Sequence, residues 1–184
     1  MIITERLILR SFAESDAADA WAYLKEPAVH CFASWKTDTV EEARAAVTER
    51  MRTPEYYRAI VLKKTGKVIG EIAAFPERSD EHDEASPMDT FSPIWMLNPQ
   101  YVGKGYAFEA ARAFFDWLFK EKGARRIYAY TEDDNLPSQH LCERLGMRRE
   151  GLFLEFISFV NNSDGTPKYE NTVQYAILRK EWEA

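Results

Sequence analysis

Gln100-Tyr101-Val102-Gly103-Lys104-Gly105-Tyr106-Ala107 lies between a strand-like run ending at Leu97 and the most strongly amphipathic helix of the chain. In that helix Ala107, Ala110, Ala111, Phe114, Phe115, Leu118 and Phe119 recur at helical spacing, and Gly123 stands in the usual stop position. Gly103 and Gly105 let the backbone turn tightly and come close to a ligand. The helix points unpaired N–H groups and the positive end of its dipole at that turn. Such a place favours phosphate, and Lys104 can add charge. A P-loop is not supplied, because the pattern G-x-x-x-x-G-K-[ST] is not met. A dinucleotide fingerprint is weak, because Phe108 stands where the third glycine belongs. Taken alone, the Gly-x-Gly turn also reads as a plain helix start.

Outward from this segment the chain alternates between periodicities. Thr4 to Arg10 alternates as a strand. Asp16 to Lys25 reads as a helix stopped by Pro27. A second helix follows a capping box, Thr39 with Glu42, and carries Val40, Ala43, Val47 and Met51 at helical spacing. Tyr57 to Lys63 and Val68 to Phe75 read as strands joined by a turn at Lys64-Thr65-Gly66-Lys67. Pro76 to Thr90 is acidic, holds Glu77, Asp80, Glu81, Asp83, Glu84 and Asp89, and reads as an exposed loop. Phe91 to Leu97 and Arg126 to Thr131 are further strands, and Ser138 to Leu145 is a short helix after Pro137. Leu152 to Val160 and Val173 to Leu178 are the last strands, separated by Asn161-Asn162-Ser163-Asp164-Gly165. The expected order is β-α-α-β-β-β-α-β-α-β-β, and with no internal repeat or linker one α/β domain is the simplest account.

The 184 residues are 46% hydrophobic and 14% aromatic, enough for one sizeable core. Cys31 and Cys142 make no disulfide framework and fit a reducing interior. The charged N-terminus does not read as a signal peptide, and no stretch is apolar enough for a membrane span. These features lead to the expectation of a cytoplasmic protein. The net charge of −6 disfavours nucleic acid and suits a cationic partner such as an amine, or serves solubility alone. His82-Asp83-Glu84 lacks a second cluster, so no metal is expected.

Gln100-x-x-Gly103-x-Gly105 resembles the [QR]-x-x-G-x-[GA] signature of the GNAT N-acetyltransferase superfamily. Asn135-Leu136-Pro137-Ser138, followed by Leu141 to Met147, resembles that family's next segment. Thr4 to Arg10, Trp95-Met96-Leu97-Asn98-Pro99 and Tyr175 to Trp182 are similar to the ribosomal-protein (alanine/serine) N-acetyltransferase branch. The likeness runs in order along essentially the whole chain. It implies a single GNAT-like domain over residues 1–184, with a mixed, largely antiparallel sheet of about seven strands and about four helices. It implies acetyl-CoA as cofactor and a primary amine, on a protein N-terminus or a small molecule, as acceptor. By the family pattern Val102, Gly103, Lys104, Gly105, Tyr106 and Ala107 hold the pyrophosphate. Met96 and Leu97 would meet the pantetheine and offer oxyanion donors. Asn135 and Ser138 would lie near the sulfur, or simply cap a helix around Pro137.

Aminolysis of a thioester needs a proton acceptor for the ammonium. Many relatives carry Glu where this chain has Ser92. Glu71 is the best substitute, set against the plainer reading of a solvent-facing strand acid. Asp89 is a weaker candidate, and Ser138 could protonate the thiolate. Tyr106 and Tyr130 are further options. Cys142 reads as a packed thiol, which favours direct attack in a ternary complex over an acyl-enzyme. The alternative from another class is a non-catalytic acyl-CoA-binding regulator. The chain is expected as monomer or homodimer.

Overall fold

The structure is a computed structural model and describes residues 1–183. Its strands are β1 (Ile2–Ile3), β2 (Leu7–Arg10), β3 (Tyr57–Leu62), β4 (Val68–Glu77), β5 (Thr90–Leu97), β6 (Arg126–Glu132), β7 (Arg148–Asn161) and β8 (Pro167–Leu178). Its helices are α1 (Ala17–Leu24), α2 (Val40–Arg50), α3 (Tyr106–Glu121), α4 (Leu136–Arg144) and the single turn α5 (Arg179–Trp182). The strands form one 8-stranded sheet in the order β1-β2-β3-β4-β5-β6-β8-β7. Every neighbouring pair is antiparallel except β5 with β6, so the sheet is mixed and largely antiparallel.

Helix α3 forms because its apolar stripe buries Ala110, Ala111, Phe114, Phe115, Leu118 and Phe119. These pack with Leu7, Leu9, Ile60, Ile72, Phe91 and Ile127 on one face of the sheet. The opposite face, with Tyr57, Ala59, Ala73 and Met96, packs against Tyr23 and Leu24 of α1 and Ala43 and Val47 of α2. Thr39 caps α2 by accepting from the Glu42 N–H, while the Glu42 carboxylate accepts from the Asp38 N–H. The turn at Lys64 to Lys67 closes with Gly66 at φ +71.

Several boundaries differ from expectation. The first strand starts at Leu7, not Thr4. Thr4 donates its N–H to the Leu7 carbonyl and its hydroxyl oxygen accepts the Leu7 N–H, which reverses the chain and lets Ile2–Ile3 pair back on β2. Strand β4 takes up Pro76 and Glu77, so the acidic connection shortens to residues 78–89. That connection is organised by Arg78, which donates to the Glu84 and Ser86 carbonyls, and by Ser86, which bridges Asp80. Strands β7 and β8 both begin earlier than expected, at Arg148 rather than Leu152 and at Pro167 rather than Val173, while their ends fall at or next to the expected ones.

Candidate functional site

Strands β5 and β6 pair only at Thr90 with Arg126 and Phe91 with Ile127, then part. The gap opens toward the Gly-rich turn, because both strands run in that direction. Two neighbouring parallel strands that separate leave backbone N–H and C=O groups on each lip without a partner strand. Asn98 donates its N–H to Ile69 on β4, and Met96 lies opposite Glu71. Antiparallel alternation therefore keeps the Met96 N–H in the sheet and turns those of Trp95 and Leu97 into the cleft. Of the expected pair, Leu97 has its N–H on the open side. Trp95, which sequence reading did not single out for this role, joins it.

At the open end stands the Gly-rich turn. Gly103 and Gly105 have φ +76 and +80, a region in which a side chain would be strained. Gly105 is the N-cap of α3. From Gly103 through Phe108 no N–H finds an acceptor among the described residues, and the first bond of the helix is Glu109 N–H to the Gly105 carbonyl. This run of donors at the positive end of a 16-residue helix fits a diphosphate. Lys104 donates its ammonium to the Gln100 carbonyl and lies over the Tyr101 ring. Arg6 braces the turn, donating to the Lys104 carbonyl at 2.9 Å and lying over the Tyr106 ring. Arg6 is itself held by Glu109 of α3 at 2.6 Å. Sequence reading missed Arg6, whose only signal was its place in the opening Thr4-Glu5-Arg6 segment.

Helix α4 borders the cleft from the β6 side. Asn135 caps it by accepting the Ser138 N–H at 3.2 Å, and also donates to Glu132. The Ser138 hydroxyl accepts from the Trp95 indole N–H at 3.2 Å. Ser138 thus faces β5 across the gap, and Asn135 performs the capping role.

The expected proton acceptor Glu71 is placed otherwise than as a solvent-facing acid. It is 1% exposed. One oxygen accepts from Tyr23 and Arg50 Nε, the other from Tyr57 and Arg50, at 2.8 to 3.0 Å. Burial pulls the Arg50 guanidinium down, and the charge and hydrogen bonds of Glu71 more than offset it, holding Arg50 above its usual value. Burial, reinforced by Glu71, pushes the Tyr57 hydroxyl up as well. This carboxylate already has a full set of donors and a bound cation. Asp89 is likewise taken, by Arg125 at 3.0 Å. Tyr106 carries Arg6 on its ring, and Tyr130 is half exposed on β6.

Beside Arg50 lies a cavity of about 510 Å³, lined by Trp35, Thr37, Tyr57 and Phe75 among others. The buried Thr37 hydroxyl has no partner there. Next to Phe75, across the strand pair, sits Ser92. Tyr128 of β6 donates to Glu77 Oε2 at 2.7 Å and also meets Ser92. Burial, then the bond to Glu77, push the Tyr128 hydroxyl up to about 12. Tyr128 therefore remains a donor at neutral pH.

Burial pushes the Cys142 thiol up to about 12, and burial and Glu132 push Cys31 further still. Neither thiol is a nucleophile near neutrality. No group of His, Cys, Asp and Glu able to hold a metal ion occurs among the described residues. No described helix is long and apolar enough to cross a membrane.

The family described as acetyltransferase (GNAT) domain matches residues 6–148. An uncharacterized N-acetyltransferase of Bacillus subtilis strain 168, YnaD, is 32% identical over 181 residues, covering 98% of each chain. The crystal structure of a GNAT-family acetyltransferase from Bacillus anthracis superimposes with a TM-score of 0.81 at 30% identity, covering 98% of this chain and 99% of that one. A ribosomal-protein-S5-alanine acetyltransferase from Vibrio fischeri shares the fold, with a TM-score of 0.71 at 20% identity over 99% of this chain and 98% of its own.

Proposed function

Because this chain belongs to the GNAT acetyltransferase family, we propose that it moves the acetyl group of acetyl-CoA to a primary amine by direct attack in a ternary complex. The observation that carries this reading is the run of free N–H groups from Gly103 through Phe108, standing at the mouth of the β5–β6 cleft. That cradle fits a pyrophosphate, with Val102 through Ala107 as its frame and Arg6 as its brace. When bound, acetyl-CoA supplies an activated thioester. The cleft lip formed by Trp95 and Leu97 offers N–H donors to its carbonyl, where negative charge develops. Ser138, held by Trp95, is the hydroxyl suited to hydrogen-bond the departing sulfur. The high thiol pKa of Cys142 supports direct attack over an acyl-enzyme.

In this reading Glu71 positions rather than accepts a proton. Its pairing with Arg50 ties α2 to β4 and shapes the cavity beside it. The acceptor is a primary amine, on a protein N-terminus or a small molecule.

The test has two stages. Calorimetry should give binding of CoA and acetyl-CoA with mutual competition, and indifference to ATP and NAD. A thiol-release assay across a panel of amines and short peptides should then find amine-stimulated CoA release. Tight CoA binding with no release by any amine would favour an acyl-CoA-binding regulator. No CoA binding at all would end the whole reading.

A further inference from the structure

Several carboxylates around the cleft are consumed. Glu71 is bound by Arg50, Asp89 by Arg125, Glu150 by Arg126 and Arg148, and Glu170 by His30 and Lys168. Glu132 accepts from the Cys31 N–H and from Asn135. Glu77 differs. It is exposed and has no cationic partner among the described residues, yet it is fixed by the 2.7 Å bond from Tyr128.

Its place in the fold is specific. Glu77 lies opposite Thr90, and Phe75 lies opposite Ser92, so Glu77 and Ser92 are diagonal neighbours on one face of the sheet. Ser92 and Tyr128 directly follow the last paired residues of β5 and β6, Phe91 and Ile127. Glu77, Tyr128 and Ser92 therefore meet at the apex of the cleft, on the α1 and α2 side.

Beyond this apex the sheet face meets the His30–Trp35 segment at Glu132 and Glu170 and otherwise leaves aromatic side chains open. It carries a chain of rings: Tyr128 to Tyr130 at 5.4 Å, Tyr130 to Phe156 at 5.9 Å, and Phe153 to Phe156 at 5.0 Å. Tyr130 and Phe156 are 46% and 50% exposed. Apolar rings left open beside an unpaired carboxylate are a recognition surface for a particular chemistry. Ring faces attract an ammonium, and the water they exclude strengthens its attraction to the carboxylate.

We propose that Glu77, seated by Tyr128 at the apex of the β5–β6 cleft, takes up the ammonium of the acceptor, whose apolar body lies over Tyr130, Phe153 and Phe156. The inference rests on the acetyl-transfer reading above and gives it an acceptor class: a primary amine on an apolar body. Glu77 also receives the proton. The ammonium loses one proton to the Glu77 carboxylate, and the freed lone pair forms the new C–N bond at the thioester carbonyl carbon. The C–S bond breaks, and a second nitrogen proton leaves with the sulfur. The products are the amide, the CoA thiol and one proton, which Glu77 returns to water.

The test uses 2-phenylethylamine and its neutral counterpart 2-phenylethanol, titrated by calorimetry into the folded protein with and without CoA. Wild type should bind the amine about tenfold tighter than the alcohol. Glu77→Gln should abolish that preference, Tyr128→Phe should reduce it, and Phe156→Ala should weaken both ligands several-fold. All variants should bind CoA as wild type does, since none touches the cradle. Acetylation of 2-phenylethylamine should fall about 100-fold in Glu77→Gln. Equal binding of amine and alcohol by wild type, or a preference that survives Glu77→Gln, overturns the proposal. Loss of CoA binding in wild type strikes the donor site instead, while the amine–alcohol comparison still judges Glu77.

Discussion

The ion pair of Arg50 and Glu71 is the most consequential buried contact in the structure, with side chains 9% and 1% exposed. Two charges taken out of water are tolerated only when the geometry is good and the remaining lone pairs are filled. Here Tyr23 and Tyr57 fill them, and the Arg50 guanidinium also donates to the Ala46 carbonyl. Arg50→Ala strands the Glu71 carboxylate and should cost about 3–5 kcal/mol in urea unfolding. Replacing both residues by Met removes the stranded charge and should recover most of that loss. A single Arg50→Ala variant with wild-type stability would show that water reaches Glu71 and that the pair does not lock α2. The pairing explains why sequence reading fell short here. Gly70-Glu71-Ile72 carries an acid in a strand, and alternation alone does not tell a solvent face from a face that a later helix covers with an arginine.

At the scale of elements, the cradle depends on the backbone shape of the turn before α3. Gly105 has φ +80, and a Cβ there would meet the Arg6 guanidinium at 3.4 Å. Gly105→Ala imposes a left-handed conformation on a side chain, a strain of about 1–3 kcal/mol. The turn relieves it by moving, so the N–H groups lose their common aim. CoA affinity should fall about tenfold, since 1.4 kcal/mol corresponds to that factor. Calorimetry checks this, and unchanged affinity would mean the donors do not act together. This region was also the most legible in the sequence, because periodicity, stop glycine and turn glycines all agree over residues 103–123. Legibility declined where one face is not buried. Residues 148–151 of β7 and 167–172 of β8 alternate only weakly in polarity, since these stretches are largely exposed, Arg148 and Tyr169 among them. The strand at Ile2–Ile3 is too short to show any period, and the turn that creates it comes from the Thr4 N–H donating to Leu7 and the Thr4 hydroxyl oxygen accepting from it. The meeting of Glu77 with Tyr128 lies 51 residues apart in the chain, and no local pattern encodes it.

For the molecule as a whole, segments distant in the chain are joined at separate points by carboxylates whose pKa the fold holds down. Glu109 of α3 holds the β1–β2 turn. Burial raises its pKa, but hydrogen bonds from Thr4 and Arg6 more than offset this and leave it below the usual value of 4.5. Glu132 of β6 holds the segment at Cys31. Burial raises it too, and the Cys31 N–H and Asn135 more than compensate. Glu150 of β7 is lowered chiefly by Arg126 of β6, and by Arg148. Each has a folded pKa below its unfolded one, so the unfolded chain binds more protons in acid. Their stabilisation is fully present above about pH 4.5 and is lost as pH falls through the folded values. Urea midpoints should therefore hold steady from neutrality toward that point and fall below it, by about 1.4 kcal/mol per pH unit for each extra proton bound by the unfolded chain. Arg6→Gln removes part of what lowers Glu109, so this variant should start less stable at neutral pH and decline less steeply in acid. Parallel acid profiles for the two proteins would show that the Arg6–Glu109 link between β2 and α3 carries no share of the pH dependence. A variant profile that converges on wild type below pH 4.5 would assign that share to it, since protonated Glu109 no longer distinguishes the two chains.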